Sequence, residues 1–142
     1  HLPDGLSQDS LHMLMTCEPQ IKEIGDLISR TDVLLFGIGT AMRMADQRHI
    51  ADDVRKKLVD NHAVGEALGQ YCDMDGKLIY STNNIGLSLP DVAKVPNVIA
   101  VAGGQEKASA IIGVMRACQK GILIIDEQAA EGMRQLLQIS AL

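Results

Sequence analysis

The chain has no tryptophan, one phenylalanine and two tyrosines among 142 residues. So sparse an aromatic set leaves the core to aliphatic and methionine side chains. It also removes the stacking platforms on which single-stranded nucleic acids are usually held. No apolar run approaches the ~20 residues of a membrane helix, and no signal peptide is recognisable. The expected location is cytoplasmic, without membrane contact. Cysteine is scarce: Cys17, Cys72 and Cys118 are widely spaced, with no CxxC pair and no Cys/His ligand spacing. His12, His49 and His62 add no metal pattern. Reduced, mostly buried thiols are expected, and neither a metal nor a cofactor. Positive charge is short too, with a net charge of −5. Arg55-Lys56-Lys57 is the densest basic cluster, and it follows Asp52-Asp53. Asp53 and Lys57 stand at i,i+4 and read as a solvated, charge-paired helix face. That distribution speaks against direct DNA contact by this chain.

What is present is an aliphatic α/β pattern. Hydrophobic residues make up 46% of the chain, enough for one compact domain. Helices are expected over about 7–16 and over 19–29. The second has Pro19 in its first turn and Ile21, Ile24 and Ile28 on its inner face. An apolar strand, 33–36, closes on Gly37 and Gly39. An amphipathic helix is expected over 51–61, with Val54 and Leu58 one turn apart. Residues 63–71 are open to either helix or strand. The turn Asp73-Met74-Asp75-Gly76 before a strand at 77–80 suggests a β-hairpin. Pro90 and Pro96 bracket a helical turn. A βαβα run follows: strand 98–102, helix about 106–118, strand 122–125, and a last helix capped by Asp126. That helix carries Ala129, Met133, Leu136 and Leu137 on its apolar face. The three apolar strands read as a parallel sheet covered by helices on both faces.

The segment VIAVAGGQEKASAI, residues 98–111, holds the most chemistry. A strand breaks at Gly103-Gly104, and a helix begins with Lys107 near its start. Glycines allow close backbone approach. A helix start offers unpaired N–H groups and partial positive charge, and the lysine adds a full one. This suits an anion, although it is not a Walker loop. A solvated lysine after an ordinary strand–helix turn is the plainer reading. Ligands of such sheets sit beyond the carboxyl ends of the strands. The loops Gly37-Ile38-Gly39-Thr40, Gly103-Gly104-Gln105-Glu106 and Asp126-Glu127 lie there.

The segments LLFGIGTAM, AVGEALGQYCDMDGKLI, IGLSLPDVAKVPNVIAVAGGQEKASAI and ILIIDEQAAEGMRQLL occur in this order, after the opening LPDGLSQDSLHML. Together they resemble the effector-binding domain of the SorC-type (sugar-binding, DeoR-related) bacterial transcription regulators. The likeness is greatest to those governing glycolytic genes. It implies a Rossmann-like parallel sheet flanked by helices with a β-hairpin insertion. That fold is similar to ribose-phosphate isomerases, glucosamine-phosphate deaminases and CoA transferases. The implied partner is a sugar phosphate, fructose 1,6-bisphosphate or a related triose or hexose phosphate. Carried over by position, Lys107 meets a phosphate and Arg48, in ADQRH, stands near the ligand. Glu66, in AVGEALG, accepts from sugar hydroxyls. The backbone at Gly103, Gly104 and Gln105 cradles a phosphate.

The same resemblance implies that residues 1–142 are the C-terminal portion of one sensor domain. The DNA-binding domain and the start of the sensor would be absent. Operator DNA would then be reached only through the absent part. A homodimer or higher homo-oligomer is expected, helped by apolar surface on a cut sheet. Plainer roles stand beside these: Arg48 pairing with Asp46 or Asp52, and Glu66 capping or pairing with a neighbouring arginine. A sugar-phosphate isomerase or deaminase would share the fold. However, no paired carboxylates and no nucleophile–base pair stand at diagnostic spacing, so no enzyme is expected. An oligomerisation module with a vestigial pocket is the third alternative.

Overall fold

A computed structural model describes residues 6–138. Residues 1–5, the start of the LPDGLSQDSLHML motif, and 139–142 lie outside the described residues. The chain opens with two helices, α1 (Gln8–Cys17) and α2 (Pro19–Ser29). Ser7 caps α1 by accepting the Ser10 N–H, and Pro19 occupies the start of α2. Neither helix has a buried residue. Ile24, expected on the inner face of α2, is 51% exposed. The pair lies on the surface, so only part of the Ile21/Ile24/Ile28 stripe finds cover.

A parallel sheet follows in the order β1 (Val33–Gly37), β6 (Asn97–Ala102), β7 (Ile122–Ile125). Helices α5 (Ala108–Cys118) and α6 (Glu127–Leu136) cover one of its faces. Phe36, Val98, Ala100 and Ala102 enter that core with Ile111, Val114 and Ala129. The other face is open: Val33, Leu35, Val101, Ile122 and Ile124 are all exposed. The expectation of helices on both faces therefore fails for the described residues. Strands that are apolar on both sides nevertheless alternate between buried and exposed. Leu136 and Leu137, expected in the core, are exposed as well. Only Ala129, Gly132 and Met133 of that region reach the packed side.

Between β1 and β6 the chain builds a second, antiparallel sheet. Its order is β2 (Gly39–Thr40), β3 (Gly65–Ala67), β4 (Gln70–Cys72), β5 (Leu78–Ser81). The expected hairpin is present as β4–β5 around Asp73–Gly76. It is half of a larger insertion, because 65–72 resolves into two strands rather than a helix. Leu68 (φ 55°) and Gly69 (φ 78°) form the tight turn between them, and such positive φ values suit a two-residue hairpin loop. Helices α3 (Ala41–Gln47) and α4 (Asp52–Asp60) complete this part around Leu58, Tyr71, Ala41 and Ala45. On α4 the ion pairs are Lys56–Asp60 and Arg55–Asp46, not Asp53–Lys57.

Helix α5 is wedged between the two sheets and is buried around most of its circumference. A Cβ at Gly113 would lie 2.4 Å from the Asp73 carbonyl oxygen. That glycine brings the insertion onto the helix that also supports the parallel sheet.

Candidate functional site

A cleft of about 440 Å³ opens where β1 hands the chain to β2. Its walls come from Phe36 to Thr40, from α3, from Glu66 and Leu68, and from Val101 and Lys107. It lies beyond the carboxyl ends of β1 and β6, as expected for such sheets. Arg48, Glu66 and Lys107, far apart in sequence, share this cleft.

Arg48 ends α3, and Glu66 stands on β3 opposite Gly39. The Arg48 Nη2 donates to Glu66 Oε1 at 3.3 Å. Glu66 is 3% exposed, and its Oε1 also accepts the Gly69 N–H at 2.7 Å. A buried carboxylate is tolerable only with such partners. Of the plainer roles, the pairing of Glu66 with a neighbouring arginine is thus present in the structure. The Arg48 side chain stays a quarter exposed, and its donors form a planar fork suited to carboxylate or phosphate.

Lys107 ends a short 3-10 turn, Gln105–Lys107, and immediately precedes α5. The helix thus begins after this turn rather than at 106. Among the described residues no side chain forms an ion pair with the Lys107 ammonium. Gly103, Gly104 and Gln105 stand next to it in sequence but do not line the cleft. The Gly104 N–H donates to both carboxylate oxygens of Asp126, at 3.1 and 2.9 Å. It is engaged by a carboxylate in this structure. A Cβ on Gly103 would meet Asp126 Oδ2 at 2.8 Å, so that glycine makes room for Asp126. Asp126 also accepts the Ala129 N–H at 2.8 Å as the cap of α6. The Ala129 and Gly104 N–H groups, with a smaller contribution from Lys107, hold its carboxyl below the ordinary range.

Sequence reasoning missed Arg43. It sits in the first turns of α3, exposed, on the cleft wall with Gln47 one turn later. The signal was local: a helix starting straight after GIGT at a strand end brings its early polar residues to the ligand edge. Arg43, Arg48 and Lys107 face a single carboxylate among the lining residues, in a chain whose net charge is −5. Among the described residues, no cluster of His, Cys, Asp and Glu could hold a metal ion. No helix among them is long and apolar enough to cross a membrane.

Residues 1–135 match the family described as "Putative sugar-binding domain". This chain belongs to the sugar-binding domain family of SorC/DeoR-type transcriptional regulators. Over 130 residues it is 37% identical to the central glycolytic genes regulator of Bacillus subtilis, covering 92% of this chain and 38% of that protein. The protein of the same name from Priestia megaterium is 39% identical over 131 residues, with the same two shares. A SorC family regulator of Enterococcus faecalis, solved by crystallography, superposes with a TM-score of 0.81 at 38% identity. It covers 90% of this chain and 52% of its own. The sugar-binding domain described here thus spans about two-fifths of its curated relatives and half of that crystallised chain. Those curated relatives are transcriptional regulators, not enzymes.

Proposed function

We propose that this domain is the effector-sensing part of a bacterial transcription regulator, and that the cleft around Lys107 takes a sugar phosphate. The observation that carries this reading is the gathering of Arg43 and Arg48, both on α3, with Lys107, from the turn before α5, in an acidic chain. Arg43 and Arg48 would meet a phosphate through paired N–H donors, and Lys107 through its point charge. The Glu66 carboxylate, fixed by Arg48 and Gly69, would accept from a sugar hydroxyl. Gly103, Gly104 and Gln105 would form the backbone beside Lys107, with the Asp126 contact rearranging if a phosphate uses the Gly104 N–H.

Cations on different elements suit two phosphates on one sugar, as in fructose 1,6-bisphosphate. The name "Central glycolytic genes regulator", borne by two relatives, supports an effector of that class. An effector that binds one arrangement of the assembled regulator better than another shifts the population between them. Release of a repressor from its operator would follow from such a shift.

The test is the thermal unfolding of this chain with fructose 1,6-bisphosphate, hexose and triose monophosphates, and inorganic phosphate. A ligand that binds only the folded state raises the melting temperature by mass action. A rise with the bisphosphate that disappears in both Lys107→Ala and Arg43→Ala is expected. No rise with any sugar phosphate, or a rise untouched by either substitution, would remove the phosphate from this cleft.

A further inference from the structure

A second cavity, of about 680 Å³, lies between α1 and the strand-and-loop segment that ends β5. None of its lining residues lines the cationic cleft. Neither lysine nor arginine borders it, and Asp9 is its single carboxylate. Amides and hydroxyls dominate instead: Gln70, Ser81, Thr82, Asn83, Asn84 and Ser88.

This polar wall is built, not frayed. Thr82 Oγ1 donates to the Gly69 carbonyl at 3.0 Å and accepts from Asn84 Nδ2 at 3.2 Å. Asn83 Nδ2 donates to the Leu6 carbonyl at 2.8 Å, tying the start of α1 to the wall. The decisive residue is Gln70, on β4. It is 4% exposed, and its Oε1 accepts the Leu89 N–H at 3.2 Å. Its Nε2 has no hydrogen-bond partner among the described residues, and the side chain lines the cavity. A side chain this deeply buried therefore presents an unused amide donor to the cavity. A donor that borders the cavity without a protein partner is available to a ligand hydroxyl.

We propose that this cavity is a second ligand site, for a neutral polyhydroxylated small molecule such as an unphosphorylated monosaccharide or sugar alcohol. A hydroxyl both donates and accepts, which matches amide N–H and carbonyl groups side by side. The Gln70 amide donates to one hydroxyl, and the Asn83 and Asn84 carbonyls accept from others. Leu11, Met15 and Gly86 add an apolar border for carbon-bound hydrogens. The volume is in the range of small-molecule pockets. A phosphate is disfavoured, because no cation faces it and Asp9 repels it. His12 and Asp9 on α1 form the opposite wall. A ligand held between them and Gln70 joins a helix without buried residues to the body of the domain.

The test is a nitrogen–proton NMR titration of this chain with glucose, ribose and mannitol, beside fructose 1,6-bisphosphate as a separate probe. Expected is movement of the Gln70 side-chain NH2 resonance and of the backbone amides of 81–84 with at least one neutral probe, while the Lys107 amide stays still. Gln70→Glu keeps an acceptor for Leu89 but removes the donor, and it should weaken that response at least several-fold. His12→Ala lies on an exposed helix face and cannot unfold the core, and it should weaken the response as well. No movement with any neutral probe up to about 10 mM, roughly ten times a millimolar dissociation constant, overturns the proposal. So does a response unchanged in both variants. Because the two cavities share no lining residue, failure here leaves the sugar-phosphate reading standing, and the reverse holds.

Discussion

Arg48 Nη2 meets Glu66 Oε1 at 3.3 Å, joining the end of α3 to β3. The same carboxylate oxygen takes the Gly69 N–H, so one buried group braces a helix end and a hairpin turn. Removing it leaves the turn amide and the guanidinium without that acceptor. Glu66→Ala is expected to cost about 2–4 kcal/mol of stability, since charged hydrogen bonds and buried pairs carry such values. Glu66→Gln keeps an acceptor for Gly69 and should cost only about 1 kcal/mol. Urea denaturation of the three proteins measures both. An alanine variant as stable as the parent would show that the pair holds nothing together.

Asp126 makes stability depend on pH. Its carboxyl is held low by the Ala129 and Gly104 N–H groups, so the folded state favours the charged form. A depressed carboxyl stabilises above its unfolded pKa of about 3.9 and loses that effect as pH falls through the lower folded value. Asp126→Asn should therefore melt lower than the parent at neutral pH. The gap should close as the medium is acidified below the ordinary carboxylate range. Melting curves of both proteins at neutral and acidic pH check this, and a gap constant across that range would contradict it.

The three thiols should separate cleanly. Cys17 is exposed, while Cys72 and Cys118 are buried in the core. Burial first, then the nearby Asp73, Cys118 and Glu66 charges, pushes Cys72 up to about 12. Burial alone pushes Cys118 to about 11. Only the thiolate reacts readily, and both core thiols stay protonated at pH 8. Native titration with a chromogenic disulfide should label Cys17 fast and the other two only after denaturation. Rapid reaction of all three would mean that the α5 core opens on the timescale of the reagent.

The elements that sequence disclosed are those with strong local signals. Pro19 marked the start of α2, Asp126 the cap of α6, and the run 122–125 its strand, with the same limits in the structure. Arg48, Glu66 and Lys107, named as candidates in the sequence, line one cleft. Three features stayed hidden for physical reasons. Strands β3 and β4 have three residues each, too few to show a period. The Gly104 amide is claimed by Asp126, 22 positions away, and no local pattern reports such a contact. Apolar residues on both faces of a strand suit a fully covered sheet, yet they do not say whether the cover is there.

That uncovered face gives the last prediction. The strand register sets Leu35 beside Ile99 and Ile99 beside Ile122, in one row across the sheet. Val101 and Ile124 continue the patch in the next row. Leu35 is 67% and Ile122 65% exposed, so replacing such residues removes little packing in the single chain. Leu35→Lys and Ile124→Lys should each change stability by less than about 0.5 kcal/mol. Leu58→Ala, at a fully buried site, should cost about 2–5 kcal/mol. A continuous aliphatic face in water also draws apolar surface to itself. In sedimentation the parent chain should associate with a second copy as concentration rises, and the double lysine variant should remain monomeric. A parent that stays monomeric throughout would contradict the association, and a Leu35→Lys change as costly as Leu58→Ala would contradict the open face.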